Sequence, residues 1–402
     1  MKDTILVVTS YPEKGTIHGK GTVGIASYTK NTLLHILKHN PLLSFTILAE
    51  ILSNRETYKE DGMNIRRMWK RNSLPSLFEL FLHMMKPYKH IVIPFEVYMF
   101  GNSFYAGIFL LFLAFLKLIG KNITLILHQV PDGIEDVESQ TLRARLFPVL
   151  KHILYNLITF SARKVVVFEA TFKKRLGNKK NTIVIPHAVE PVKLIDQTNA
   201  KNKLGIDNNK KLLLYFGFLS PYKGVDQLID AWDESSSYKL ILAGGGNPNH
   251  IDNSEYQNYI QSLHDEAEKK HIQITGFVSE EDLPVYFSAA DIVILPYRTF
   301  FSSSGPLSLA FAYEKPVLLS PALSEYFASE DFAEAAKHSN IHKSDLTAPM
   351  EKTVLTEHLE KIFSKYNTFK AFSQELKIKR SWDTVGQKYA DLLGQNEDKS
   401  LQ

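Results

Sequence analysis

Along nearly the whole chain, short apolar runs alternate with longer stretches in which apolar residues recur every three or four positions. In the first half the short runs predict strands at 4–8, 44–48, 64–68, 90–93, 123–127, 164–168 and 182–185. The longer periods predict helices at 24–38, 77–85, 104–119 and 142–160. In the second half strands are predicted at 212–216, 239–243, 272–275, 291–295 and 316–319, with helices between them. Repeated strand–helix alternation implies an α/β chain with parallel sheets covered on both faces. A polar, apolar-poor stretch at 190–209 divides the pattern into two Rossmann-like sets, one at 1–190 and one at 191–380. The remainder, 381–402, holds a last helical period at 382–393, expected to cross back to the first domain, and a polar tail expected to fray.

Length and composition support two cores. The chain has 402 residues, 44% of them apolar and 22% charged, too long for one ordinary domain and too apolar for disorder. It contains no cysteine, which excludes disulfides and thiolate metal sites and suits a reducing cytoplasm. The apolar run Ile5 to Val8 is too short for a signal peptide. The segment 105–119 (YAGIFLLFLAFLKLI) falls short of the roughly 20 residues of a membrane span and is interrupted by Lys117, so it is expected to be a buried helix. Charge is uneven: residues 1–190 carry 25 Lys+Arg against 14 Asp+Glu, the rest 22 against 29. That asymmetry points the first half toward an anionic surface.

The chemistry concentrates in two turns of the second half. Tyr215-Phe216-Gly217-Phe218-Leu219-Ser220-Pro221-Tyr222-Lys223-Gly224 joins an apolar strand to an amphipathic helical period, 225–232. Such a turn sets backbone N–H groups and a lysine at a helix start, which suits an anion. Ser302-Ser303-Ser304-Gly305-Pro306 follows the strand at 291–295 in the same way. Two such turns in one α/β domain predict a grip on a diphosphate.

Taken in order, further segments resemble the GT-B glycosyltransferases, specifically the large retaining group classed as family 4. They are Tyr11-Pro12 and Val23-Gly24-Ile25-Ala26-Ser27-Tyr28, then Leu125-Ile126-Leu127-His128-Gln129-Val130, Ile185-Pro186-His187-Ala188-Val189-Glu190, Gly276-Phe277-Val278, Tyr286-Phe287, and Ala290-Asp291 through Leu295-Pro296-Tyr297. The resemblance covers nearly the whole chain. It implies two Rossmann-like domains facing each other across a cleft, the first on the acceptor side and the second binding the nucleotide sugar. Its implied activity is transfer of a sugar from a nucleoside diphosphate sugar, UDP- or GDP-linked, to a hydroxyl acceptor with retention of configuration.

By that resemblance Lys223 and His128 are the catalytic candidates. Lys223 would neutralise the departing pyrophosphate, and His128 would meet the donor sugar. Gly24, Lys223, Phe277, Val278, Ser303, Ser304, Gly305 and Pro306 are the donor-binding candidates, with Phe277 and Val278 placing backbone at the base edge. His187 is expected to be structural. The pattern departs from the family at Phe218, where an arginine is usual, and at Phe301 and Leu309, where two glutamates are usual. No Asp-x-Asp pair and no His-Glu-x-x-His run is present, so neither a metal nor another cofactor is expected beyond the sugar nucleotide as co-substrate. Two other readings stay open: a non-catalytic subunit binding a sugar nucleotide or a partner enzyme, and a nucleotide-sugar epimerase using Glu169 and Asp132.

The basic half adds an expected partner besides donor and acceptor. Arg66, Arg67, Trp69, Lys70 and Arg71 precede the helix at 77–85, which ends near Lys86 and Lys89, and the helix at 142–160 carries Arg143, Arg145 and Lys151. Basic residues beside bulky apolar ones suit an anionic bilayer. A cytoplasmic enzyme, peripheral on the inner face of the membrane and drawing on a lipid-linked acceptor, is the expectation; nucleic acid is not an expected partner.

Overall fold

A computed structural model describes residues 4–17, 24–130, 142–233, 237–250, 252–300 and 302–394, with backbone alone for 142–150 and 249. Asp132, Phe301 and Val23 lie outside the described residues, as do the side chains of Arg143 and Arg145.

The chain divides into two units. The first comprises Met1–His187, Phe301–Ser303 and Trp382–Gln402, and the second comprises Ala188–Phe300 and Ser304–Ser381. The strands of the first unit are β1 (Thr4–Thr9), β2 (Ser44–Glu50), β3 (Glu56–Glu60), β4 (Met63–Trp69), β5 (His90–Phe95), β6 (Ile123–Leu127), β7 (Lys164–Val167) and β8 (Thr182–Val184). They form one sheet in the order β3-β4-β2-β1-β5-β6-β7-β8, parallel except for the antiparallel edge pair β3–β4. In β1, Ile5, Leu6, Val7 and Val8 are all buried, as expected of a strand covered on both faces. The last helix, Trp382–Gly394, packs on Gly24–His39 so closely that a Cβ on Gly386 would stand 2.6 Å from the His35 Cβ.

The second unit has β9 (Lys211–Phe216), β10 (Tyr238–Ala243), β11 (Gln273–Ile274), β12 (Ile292–Leu295) and β13 (Val317–Leu319). They are all parallel, in the order β11-β10-β9-β12-β13. Strand order reverses between β9 and β12, and the crevice beyond the carboxyl ends of strands at such a reversal is where open α/β sheets bind ligands. The turns after β9 and β12 are the two singled out by sequence.

Three expectations are corrected. The stretch 190–209 is not a bare linker: it contains the helix Gln197–Lys203, whose Lys201 ammonium bonds Asp291 at 3.0 Å and the Lys210 carbonyl at 2.8 Å. The apolar helix expected to be buried, here Ser103–Leu118, leaves Phe104, Leu111, Phe115 and Leu118 between 48% and 72% exposed. The basic cluster at 66–71 is not a continuous surface. Trp69 is buried, and Arg67 is buried on the carbonyls of Tyr11, Pro12 and Glu50. Arg71 is held by Glu50. Strand alternation turns only Arg66 to the face opposite Arg67, and Arg66 is exposed.

Candidate functional site

The turn after β9 is shaped by two glycines in the left-handed region. Gly217 has φ +128° and Gly224 φ +63°; a Cβ on Gly224 would stand 2.2 Å from the Pro296 carbonyl oxygen. Between them Pro221–Lys223 makes a short 3₁₀ turn leading into the helix Val225–Ala231. That helix is only seven residues long, so its dipole adds little and the charge of Lys223 dominates the local field.

Lys223 is 8% exposed. Its ammonium stands 2.7 Å from the point a Cβ on Gly217 would occupy, and the Pro306 ring lies 3.5 Å from the same point. The two turns therefore meet at Gly217. The other neighbours of the ammonium are the faces of Tyr297 and Tyr222, with centroids at 5.5 and 5.9 Å. Burial lowers its pKa to about 8, and no carboxylate lies against it among the described residues.

The segment after β12 fastens this turn. The Arg298 N–H donates to the Tyr222 carbonyl at 2.7 Å, and its guanidinium donates to the Pro221 carbonyl at 2.7 Å. The same guanidinium grips both carboxylate oxygens of Asp226. Tyr297 hydrogen-bonds Ser304 Oγ at 3.1 Å. Neither Arg298 nor Asp226 is among the candidates read from sequence, where no motif marks the pair.

Ser304 caps the helix Gly305–Ala312: its Oγ accepts from the Leu307 N–H at 3.3 Å, while its own N–H donates to Tyr326 Oη at 2.8 Å. Ser304 is thus committed to the protein through both its hydroxyl and its N–H. Pro306 has no N–H to give. The exposed Gly305 N–H is the donor of that first turn left without a partner among the described residues. Leu309 is half-buried further along the same helix, and Phe218 is partly exposed with its carbonyl accepting from Tyr215 Oη at 2.8 Å. After β11, Gly276 has φ +73° and Phe277 is 78% exposed, followed by the half-buried Val278; a Cβ on Gly245 would stand 3.0 Å from the Phe277 nitrogen.

The remaining candidates belong to the first unit. Gly24 begins the helix Gly24–His39, is exposed, and has open space where a Cβ would stand, so packing does not demand glycine there. His128 follows β6, its ring edge-on to Tyr28 and Phe168 with centroids at 5.1 and 5.0 Å. Its Nε2 is buried without a hydrogen-bond partner among the described residues. Burial, with His187 close by, lowers its pKa to about 3, so the ring is neutral at ordinary pH. His187 joins the same aromatic cluster, 4.6 Å from the Tyr28 centroid. Ser303 groups with this unit rather than with Ser304, its Oγ 3.4 Å from Oε1 of the buried Glu169. Among the described residues no three His, Asp or Glu side chains form a metal-holding group.

Against known proteins, residues 196–339 match the family model described as glycosyl transferases group 1. An uncharacterised glycosyltransferase of Methanocaldococcus jannaschii is 24% identical over 42% of this chain and 45% of its own length. The GDP-mannose:glycolipid 4-beta-D-mannosyltransferase of Xanthomonas campestris pv. campestris is 32% identical over 26% of this chain and 29% of its own. The chain therefore spans less than half the length of these curated relatives in its matches. Among solved structures, sucrose-phosphate synthase from Thermosynechococcus elongatus is similar with TM-score 0.67 at 14% identity, over 97% of this chain and 98% of that one. Anabaena HepE in complex with UDP and glucose is similar with TM-score 0.61 at 16% identity, over 98% and 99%. Residues 196–339 are accordingly a glycosyl transferases group 1 domain, carried on a chain with the α/β fold of GT-B glycosyltransferases.

Proposed function

We propose that this protein transfers a sugar from a nucleoside diphosphate sugar, UDP- or GDP-linked, to a hydroxyl acceptor, with retention of configuration. The observation that carries this is Lys223, a buried ammonium without a carboxylate partner, poised over Gly217 where the β9 and β12 turns meet. A buried cation so placed is matched by an anionic ligand, and a diphosphate supplies charge and several acceptor oxygens at once. The complexes of Anabaena HepE with UDP and the GDP-mannose-using Xanthomonas enzyme support this donor class.

In this reading the bond from the anomeric carbon to the diphosphate oxygen breaks while a bond to the acceptor oxygen forms on the same face. The acceptor proton passes to the leaving phosphate. Lys223 and the Gly305 N–H stabilise the negative charge gathering on the diphosphate, the kind of fixed electrostatic aid that is usually the largest single catalytic effect. His128, neutral at working pH, orients a sugar hydroxyl through a hydrogen bond and takes no proton in the step. The exposed Phe277 and Val278 segment lies against the base. No metal enters the scheme. In this proposal the acceptor, a lipid-linked glycan or polysaccharide precursor, belongs to the first unit, and the enzyme is cytoplasmic and peripheral on the inner face of the membrane.

A thermal-shift screen against UDP, GDP, ADP, TDP and CMP tests the donor. Nucleotide at a hundredfold excess over its dissociation constant adds about 2.7 kcal/mol to stability, a readily measured shift. A shift with one nucleoside diphosphate that disappears in Lys223→Ala supports the proposal; full retention of that shift in the variant overturns the role of Lys223. Nucleotide binding without acceptor-dependent product would favour the non-catalytic subunit, and epimerised donor without acceptor would favour the isomerase.

A further inference from the structure

The helices Leu74–Met84, Ser103–Leu118 and Leu142–Ser161 lie side by side in the first unit. Each should bury one stripe and offer water a polar one. The first two do not. In Leu74–Met84 the solvent face repeats at Leu74, Phe78 and Leu82 and continues to Met85. In Ser103–Leu118 it runs through Leu111, Phe115 and Leu118, and Lys117 is the helix's one charged residue. The stripes are joined by Phe81, 4.7 Å from Phe112 and 5.8 Å from Phe115 by ring centroids. Eleven of the nineteen large apolar side chains exposed among the described residues belong to these three helices and their C-terminal caps. Scattered exposed apolar residues are ordinary, but a contiguous set marks an interaction surface.

Charge identifies the occupant. Residues 70–164 hold eleven Lys or Arg against six Asp or Glu, and four of the acids, Asp132, Glu135, Asp136 and Glu138, lie outside the described residues, which leaves two. One of the two acids, Glu79, is engaged by Arg55. The ammonium of Lys117 bonds the carbonyl of Phe160 at 2.6 Å, and that of Lys121 bonds the carbonyls of Met85 and Lys86 at 2.8 and 2.7 Å. Cations are thereby fixed beside the apolar side chains. A second copy of this chain would bring the same positive rim against itself, which like charges oppose. A surface with an apolar interior and anionic headgroups satisfies both halves. No helix among the described residues is long and apolar enough to cross a membrane, so the contact is one of lying on it.

We infer that the outer face of Leu74–Met84 and Ser103–Leu118 docks on an anionic lipid bilayer, with the apolar stripes entering the headgroup boundary and the lysines meeting lipid phosphates. This surface keeps the expected helix at 77–85, replaces the cluster at 66–71 with the exposed face of Ser103–Leu118, and stands whether or not the proposed sugar transfer is correct.

The test is sedimentation of the full chain with vesicles of phosphatidylcholine alone and of phosphatidylcholine with phosphatidylglycerol, at low and high salt. Wild type is expected to sediment with the phosphatidylglycerol vesicles and to be released by salt, since screening shortens the reach of the lysines. The triple variant Phe78→Ser, Phe115→Ser, Leu118→Ser alters exposed positions and is expected to bind about tenfold or more weakly. An unchanged circular dichroism melting curve for that variant shows it folded, and a wild-type nucleotide shift reports the sugar-nucleotide site separately. Equal binding to both vesicle types, undiminished binding by the variant, or a wild-type dimer that the variant abolishes without lipid binding would each overturn the inference.

Discussion

At the scale of the residue, Lys223 is held in a state that the apoprotein disfavours. Its pKa is lowered from 10.5 to about 8, so between those values the unfolded chain binds more protons than the folded one. Stability from this group therefore rises as pH rises through that window, and below pH 8 the full penalty of burying the charge is present. Lys223→Met should stabilise the ligand-free protein at pH 7 by on the order of 2 kcal/mol, as read by chemical denaturation, while diphosphate binding is lost. Wild-type diphosphate affinity should weaken as pH rises beyond 8, and calorimetry in two buffers should show proton uptake there; a flat affinity up to pH 10 would deny the ammonium its role. His128 carries the same sign in a lower window. Its folded pKa of about 3 lies below the ordinary 6.5, so its share of stability is complete above pH 6.5 and is lost as pH falls from there toward 3. His128→Gln should flatten the acid limb of a pH–stability curve in part, the remainder coming from His90, which burial lowers to about 4.

At the scale of the element, the β9 turn depends on backbone space and on a clamp, and the two respond differently to substitution. Gly224→Ala would strain φ +63° and drive a Cβ into the Pro296 carbonyl, for a loss of about 2 kcal/mol or more in a melting curve. Arg298→Ala removes a half-exposed ion pair with Asp226, and such pairs contribute about 1 kcal/mol or less. It also frees the Pro221 carbonyl that steadies the turn before Lys223, so donor KM should rise several-fold with little change in Tm. A melting loss as large as that of Gly224→Ala, with KM intact, would make Arg298 structural alone. Elements also show why sequence reading stopped where it did. The periodic segments around β1, β6 and β9 were legible because burial on both faces forces continuous apolar runs. β3 was not, because Glu56–Glu60 (ETYKE) is an exposed antiparallel edge whose charges guard against further pairing. The helix Gln197–Lys203 (QTNAKNK) has one apolar side chain, Ala200, and is held instead by Lys201 and Gln197 on Asp291, contacts that periodicity does not register. The two turns were legible, and the clamp and the full aromatic cage around Lys223 were not, since the clamp pairs residues 72 apart and the cage needs Tyr297 from the other turn.

At the scale of the molecule, the chain's last helix belongs with its first domain, and that arrangement makes a thermodynamic claim. Trp382 stacks on His35 with centroids at 5.4 Å and lies 5.2 Å from Tyr28, while Tyr389 Oη reaches Tyr28 Oη at 3.4 Å. Trp382, Val385, Tyr389, Leu392 and Leu393 are all buried. At about 1.5–3 kcal/mol per large apolar side chain, their removal forfeits on the order of 10 kcal/mol, comparable to the whole stability of a domain. Realistic unfolded chains make that an upper figure, yet half of it would suffice to unfold the first unit. The segment is grouped with the first unit and not with the second. Deleting residues 382–402 should therefore abolish the first unit's cooperative melting and open it to proteolysis. The second unit, with the β9 and β12 turns intact, should still show the nucleoside diphosphate shift. If the deletion instead removed both transitions together, the two units would stand or fall as one cooperative body, and Lys223 would depend on packing that its own sheet does not supply.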